Sequence, residues 1–210
     1  MVARAKTRFV TPVEYLQREC AAQTKSEYAD GVIVAMAGAG PEHDRATGNI
    51  YASLHAQVRG TSCEPFTSDM RVHVPACNCY FYPDVSVACG GSRFELLAGV
   101  RSLQNPTLIV EVLSESTEIT DRGDKLICYQ SLPSLATYLI VAQDRPLVQV
   151  YERQSDGSWR YRLYQGLEDV LHLPAIDCQL RTGDIYARVE FRPTEQEEQD
   201  SLVADREFDS

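Results

Sequence analysis

Apolar residues recur along this chain of 210 residues at two periods, and the changes of period mark its elements. Ala46, Ile50, Leu54 and Val58 follow Pro41 at helical spacing, which predicts a helix over 41–58. Thr11-Pro12-Val13-Glu14 supplies a capping residue, a proline suited to the first helical position and a glutamate able to return the cap, predicting a helix to about Ala22. Asp30-Gly31 turns the chain into a strand over 32–37, broken by Gly38 and Gly40. Strands are expected at roughly 63–74 and 80–89, parted by Pro75 and a cysteine-rich turn. Another is expected at 107–113, after Gly90-Gly91 and a poorly patterned stretch. Thr120-Asp121-Arg122-Gly123-Asp124 opens a further helix, and strands follow at 137–142, 146–153 and near 159–165, with a short closing segment at 185–191. This order predicts an α/β fold: a mixed central sheet flanked by helices, with additional antiparallel strands.

Two carboxylates break the apolar pattern. Glu111 lies in Pro106-Thr107-Leu108-Ile109-Val110-Glu111-Val112-Leu113-Ser114, a run apolar on both alternating faces and so expected at the centre of a sheet. Asp84 lies in Tyr80-Phe81-Tyr82-Pro83-Asp84-Val85-Ser86-Val87. An ionised carboxylate in such surroundings is expensive without a cation or several donors. If the strands are neighbours, the two carboxylates converge, and a hard divalent ion, Mg²⁺ or Mn²⁺, relieves their repulsion. Asp84, Glu111 and the Val112 carbonyl form the candidate ligand set. Such an ion activates water and stabilises charge on a phosphate, which points to phosphodiester hydrolysis.

The following helix adds Asp121, Lys125 and Tyr129 at four-residue intervals on one face. Lys125 is the candidate for orienting the attacking water or neutralising the phosphate, with Tyr129 positioning it and Ser114 and Thr117 capping the intervening loop. Plainer roles fit each residue singly. Asp84 can bond turn amides, Glu111 can pair with Arg71, Arg101 or Lys125, and Asp121 with Lys125 can be an exposed helix pair. Tyr129 can be a core aromatic, His43 a cap and Glu27 structural support. The ordered set outweighs these roles jointly. His43 beside Glu27 is a further candidate for proton transfer.

Charge changes the picture in one respect. The net charge is −10, but seven acids and one arginine in 194–210 leave that stretch at −6 and residues 1–193 at −4. The division expected is a basic arm over 1–8, one domain over 9–192 and an acidic, disordered tail over 193–210. A body near −4 is a weak footprint for nucleic acid, although metal-dependent nuclease sites are themselves acidic. Seven cysteines without a secretory leader favour reduced thiols and a cytoplasmic protein, with the cysteines as core or loop residues. His73, Cys77, Cys79 and Cys89 lack zinc-site spacing. No apolar run reaches membrane-spanning length, so no membrane partner is expected.

Pro83-Asp84, Val110-Glu111-Val112-Leu113-Ser114 and Asp121-x-x-x-Lys125-x-x-x-Tyr129 resemble, in that order, the Uma-type family within the PD-(D/E)XK nuclease superfamily. Glu27 before Asp30-Gly31, His43 after Gly40-Pro41, and Asp69-Met70-Arg71-Val72 are similar to its upstream pattern, so the resemblance covers about 9–190. It implies a restriction-endonuclease-like core, metal binding by Asp84 and Glu111, and DNA as substrate. The superfamily's usual lysine lies two residues after the second acid. Leu113 stands there, and the resemblance implies Lys125 as a displaced substitute. The leading expectation is a Mg²⁺- or Mn²⁺-dependent DNA endonuclease, with a homodimer as one way to cut both strands. The alternatives are a catalytically silent module of the same fold that binds nucleic acid or protein, and a structural or redox protein built on its cysteines.

Overall fold

A computed structural model describes residues 8–36, 38–113 and 123–191. The expected arm up to residue 7 and the acidic tail from 192 lie outside these residues. Helix α1 (Pro12–Ala21) begins as its sequence demands. Thr11 Oγ1 accepts from the Glu14 amide at 3.3 Å, and the Thr11 amide donates to Glu14 Oε2 at 2.9 Å. Strands β1 (Ser26–Ala29) and β2 (Val32–Ala35) form a hairpin closed by Asp30 and Gly31. Both turn residues have positive φ, as a two-residue hairpin loop requires. A Cβ at Gly31 would also lie 2.2 Å from the Phe9 ring.

Helix α2 (Pro41–Val58) follows. Each of the two expected strands over 63–89 is divided where the chain changes sheets. The first becomes β3 (Cys63–Thr67) and β4 (Val72–Val74), the second β5 (Cys79–Phe81) and β6 (Val85–Cys89). Strands β4 and β5 join one sheet, β3 and β6 the other. The poorly patterned stretch forms a hairpin, β7 (Phe94–Leu97) and β8 (Val100–Leu103). Then come β9 (Leu108–Leu113), α3 (Asp124–Gln130), β10 (Thr137–Ala142), β11 (Val148–Arg153) and β12 (Trp159–Tyr164). In place of a segment at 185–191, a hairpin of β13 (Val170–Leu173) and β14 (Cys178–Arg181) precedes the one-turn α4 (Thr182–Ile185).

The architecture is mixed α/β. One sheet runs β2-β1-β5-β4-β8-β7, and the other runs β12-β11-β10-β9-β6-β3 with β9 and β10 parallel. The second sheet is covered on both faces. Ala46, Ile50, Leu54 and Val58 of α2 pack on Val85, Val87, Val110, Leu139 and Val150. Across the sheet, Ile109, Leu113, Tyr138 and Ile140 meet Tyr129 of α3 and Val72, Val74, Phe81 and Leu103 of the first sheet. That double cover explains why β9 reads apolar at nearly every position, for all six of its residues are buried. No helix among the described residues is long and apolar enough to cross a membrane.

The cysteines depart from the expectation of reduced thiols. Cys63 and Cys89 face each other across the β3–β6 register and are joined, and Cys77 is joined to Cys128 on α3. Cys20, Cys79 and Cys178 are free. An odd total carries no information about which thiols the fold makes neighbours. A thiol titration in denaturant without reductant is expected to count three reactive thiols, rising to seven after reduction. Seven before reduction would contradict both pairings.

Candidate active site

The β6–β9 register brings the two anomalous acidic residues to neighbouring positions of the sheet. Val85 pairs with Val110 in the antiparallel sense, so one further step places Asp84 opposite Glu111. Asp84 lies just before β6, on the segment that carries the chain from one sheet to the other, and its carboxylate continues the ladder. Asp84 Oδ2 accepts from the Val112 amide at 2.7 Å. A strand residue's N–H and C=O leave on the same edge, so the Val112 carbonyl points to the Asp84 side as well. Side chains alternate, and Glu111 shares the face of Ile109 and Leu113, towards α3.

Lys125 reaches the same place from α3. Its Nζ lies 3.0 Å from Glu27 Oε1 and 3.4 Å from Glu111 Oε1. The Phe81 ring lies under this ammonium, 5.5 Å from centroid to Nζ. Tyr129, one turn along α3, donates its hydroxyl to Glu111 Oε1 at 3.0 Å. Burial first, and the Glu111 charge second, push the Tyr129 hydroxyl well above its ordinary range, so it is a donor at any working pH. Glu27 arrives from β1 of the other sheet, and its Oε1 also accepts from the Tyr82 amide at 3.0 Å. Glu111 is 3% exposed and Lys125 5%, so this is a buried charge cluster. Asp121, Ser114 and Thr117 lie outside the described residues.

His43, in the first turn of α2, sets Nε2 3.2 Å from Asp84 Oδ2. The sequence placed it beside Glu27; the fold instead gives Glu27 to Lys125 and Tyr82 and sets His43 against Asp84. Neither arginine offered as a partner for Glu111 fills that role. Arg101 is exposed on β8. Arg71 is buried between aromatic faces, 5.7 Å from the Tyr15 ring and 5.1 Å from the Tyr82 ring. The contributions of Phe81 and Tyr82 escaped sequence reasoning. The apolar run before Pro83 signals their burial, but not that one supports the lysine and the other anchors a glutamate.

The donor set fits a hard cation in its chemistry. Among the described residues, the contacts of the Asp84 carboxylate fall on Oδ2, from the Val112 amide and His43 Nε2. The Glu111 carboxylate and the Val112 carbonyl are also oxygen donors. Among the described residues, no three His, Cys, Asp or Glu side chains converge as a protein-only cage. Mg²⁺ does not need one, since it retains several waters beside one or two carboxylates. Among the described residues, the carboxylates Glu27, Glu111 and Asp84 gather around the Lys125 ammonium and the His43 imidazole.

Lys125→Met keeps most of the side-chain stem while leaving Glu27 and Glu111 without their shared ammonium. Removing one partner from a buried pair costs about 3–5 kcal/mol. Chemical denaturation is therefore expected to show a loss of about 3 kcal/mol in unfolding free energy, with a smaller loss for Lys125→Arg. A loss under about 1 kcal/mol, the value of an exposed pair, would contradict a desolvated cluster.

The chain has relatives along most of its length. Residues 12–190 match the model of the Uma2 family, described as "Putative restriction endonuclease". Two uncharacterized proteins of Synechocystis sp. (strain ATCC 27184 / PCC 6803 / Kazusa) are similar along most of their length. With sll1609 the chain shares 37% identity over 159 residues, 76% of this chain and 89% of that protein. With slr1290 it shares 34% over 182 residues, 87% of this chain and 94% of that protein. Among solved structures, a nuclease assigned as putative, of the DUF820 group from Anabaena variabilis ATCC 29413, superposes with a TM-score of 0.66. That likeness, at 18% identity, covers 85% of this chain and 98% of the other and establishes a shared fold. The matched model spans every described residue named at the site, and the chain belongs to the Uma2 family of nuclease-like proteins.

Proposed function

We propose that the protein is a Mg²⁺- or Mn²⁺-dependent endonuclease that hydrolyses DNA phosphodiester bonds. The observation that carries this reading is the register that sets Asp84 opposite Glu111, with Lys125 between Glu111 and Glu27. Asp84 and Glu111, with the Val112 carbonyl, would hold the ion. Bound there, it would supply positive charge to the phosphate and lower the pKa of a water.

The remaining roles belong to the chain. Lys125 brings an ammonium close to the ligand set and stabilises charge that grows on the phosphate. Glu27 restrains Lys125 from the opposite sheet. Tyr129 donates to Glu111 Oε1 and fixes the plane of that carboxylate. His43 and the Val112 amide hold Asp84 Oδ2, which leaves Oδ1 directed away from them. A homodimer would present the two sites needed to cut both strands.

One observation favours a second reading. Lys125 already compensates the buried glutamates, and the protein as a whole is acidic, as suits a catalytically silent module. Cleavage of supercoiled, linear and single-stranded DNA with Mg²⁺ or Mn²⁺ separates the two. Activity is expected in the wild type, abolished by Asp84→Ala and Glu111→Ala. It is expected to fall about 10²–10³-fold in Lys125→Ala, the range for loss of one electrostatic stabiliser. Cleavage that survives both acid substitutions, or wild-type protein inert on every form, would overturn the proposal.

A further inference from the structure

The helix that carries Lys125 and Tyr129 is the least self-sufficient element of the site. At seven residues, α3 is far shorter than the roughly 12–15 that an isolated helix needs in water. Its N-cap is Gly123, which makes no side-chain capping bond. Order must come from ties to the rest of the fold: beside the contacts of Lys125 and Tyr129 with Glu27 and Glu111, three more hold the helix. Tyr129 is buried against Phe81 and Tyr138, with ring centroids 5.4 Å apart in each case. Arg153 donates to the carbonyls of Gln130 and Leu132 at the helix C-terminus, at 2.7 and 2.9 Å. The third tie is covalent. Cys128, three residues after Lys125 and next to Tyr129, is bonded to Cys77.

Cys77 lies on a short 3-10 turn, Pro75–Cys77, between β4 and β5. β5 ends in Phe81, the ring beneath the Lys125 ammonium. The bond thus joins the lysine's helix to the turn that leads into the lysine's support, across 51 residues of sequence. Both cysteines are half-buried and within reach of small thiols. The other pair, Cys63–Cys89, lies within the β3–β6 ladder, where neighbouring strands already hold both residues. Only one of the two bonds can therefore decide whether an element of the site is ordered.

We infer that the Cys77–Cys128 pair is a redox lock on α3, which fixes Lys125 and Tyr129 when oxidised and releases them when reduced. Closure converts two thiols to one S–S bond, and two protons and two electrons leave. The oxidant is a low-molecular-weight disulfide. A cysteine thiolate attacks it and expels one thiol, and the second cysteine then expels the other. A dithiol reductant reverses both steps. The inference about α3 stands on its own; its consequence for catalysis rests on the proposed nuclease function.

Hydrogen exchange resolved by peptide, on the full chain in oxidised glutathione and then in dithiothreitol, tests it. Local opening sets exchange in such an element. Amides of 124–130 are expected to exchange about tenfold faster after reduction, while those of 108–113 and 137–142 are unchanged. Cys128→Ser is expected to show the fast rate under both conditions, and Cys63→Ser to respond to the redox change as wild type does. If Cys128→Ser does not fold, Cys77→Ser and the wild-type comparison serve in its place. DNA cleavage should fall in parallel with the gain in exchange. Exchange in α3 indifferent to reductant would overturn the lock, and faster exchange with undiminished cleavage would overturn its consequence for catalysis. Protein inert on DNA in both states, with α3 still loosened by reduction, would instead remove the nuclease reading and leave the lock standing.

Discussion

The Lys125 ammonium, 3.0 Å from Glu27 and 3.4 Å from Glu111, is the point at which both sheets and α3 meet. Three buried ionic groups cost several kcal/mol each to remove from water, and their mutual contact offsets much of that cost. Each partner comes from a different element, so the contact requires the whole arrangement at once. β1 must pair with β5 to bring Glu27 near Phe81 and Tyr82, β9 must sit inside its sheet, and α3 must lie across the gap. A structure that lacked any one of these would bury an uncompensated charge. The charge cluster therefore selects a geometry as well as a chemistry, and the Tyr129 and Tyr82 donors complete it.

Asp84 illustrates how the fold and the site share one cause. The chain leaves the first sheet after Phe81 and enters the second at Val85, and Pro83 and Asp84 form that crossing. At the crossing, β6 has not yet begun to pair, so the Val112 amide lacks a ladder partner. The Asp84 carboxylate supplies it at 2.7 Å. The amide-bound carboxylate that looked like a plainer alternative to a ligand is thus part of the candidate site. Among the described residues, the contacts that fix the side chain fall on one of its two oxygens.

Much of this could be read in the sequence, and what could not has physical reasons. The helix over 41–58 was legible because its apolar period is long and begins at a proline. Glu111 was legible because a charge in a strand apolar on both faces has few explanations. Lys125 and Tyr129 followed from helical spacing, although the neighbour Glu27 supplies to Lys125 comes from another sheet. Strand β1 was missed because Ser26–Ala29 has too few residues to show a period. The β7–β8 hairpin was missed because its outward residues include Leu96, so exposure does not track polarity there. The breaks at 67–72 and 81–85 depend on which sheet each half joins, a long-range choice that no local pattern records. The cysteine pairings are of the same kind: Cys128 meets Cys77 only after α3 has packed.

The central claim is that Asp84 and Glu111 together bind a divalent cation, and calorimetric titration of Mn²⁺ tests it without knowledge of any substrate. The comparison is wild-type protein with Asp84→Asn and Glu111→Gln, which preserve size and remove charge. The account predicts saturable binding to the wild type that is lost in both variants while their folding is retained. Binding that persists in both, or a well-folded wild type that takes up no Mn²⁺ with or without an uncleavable DNA present, would contradict it.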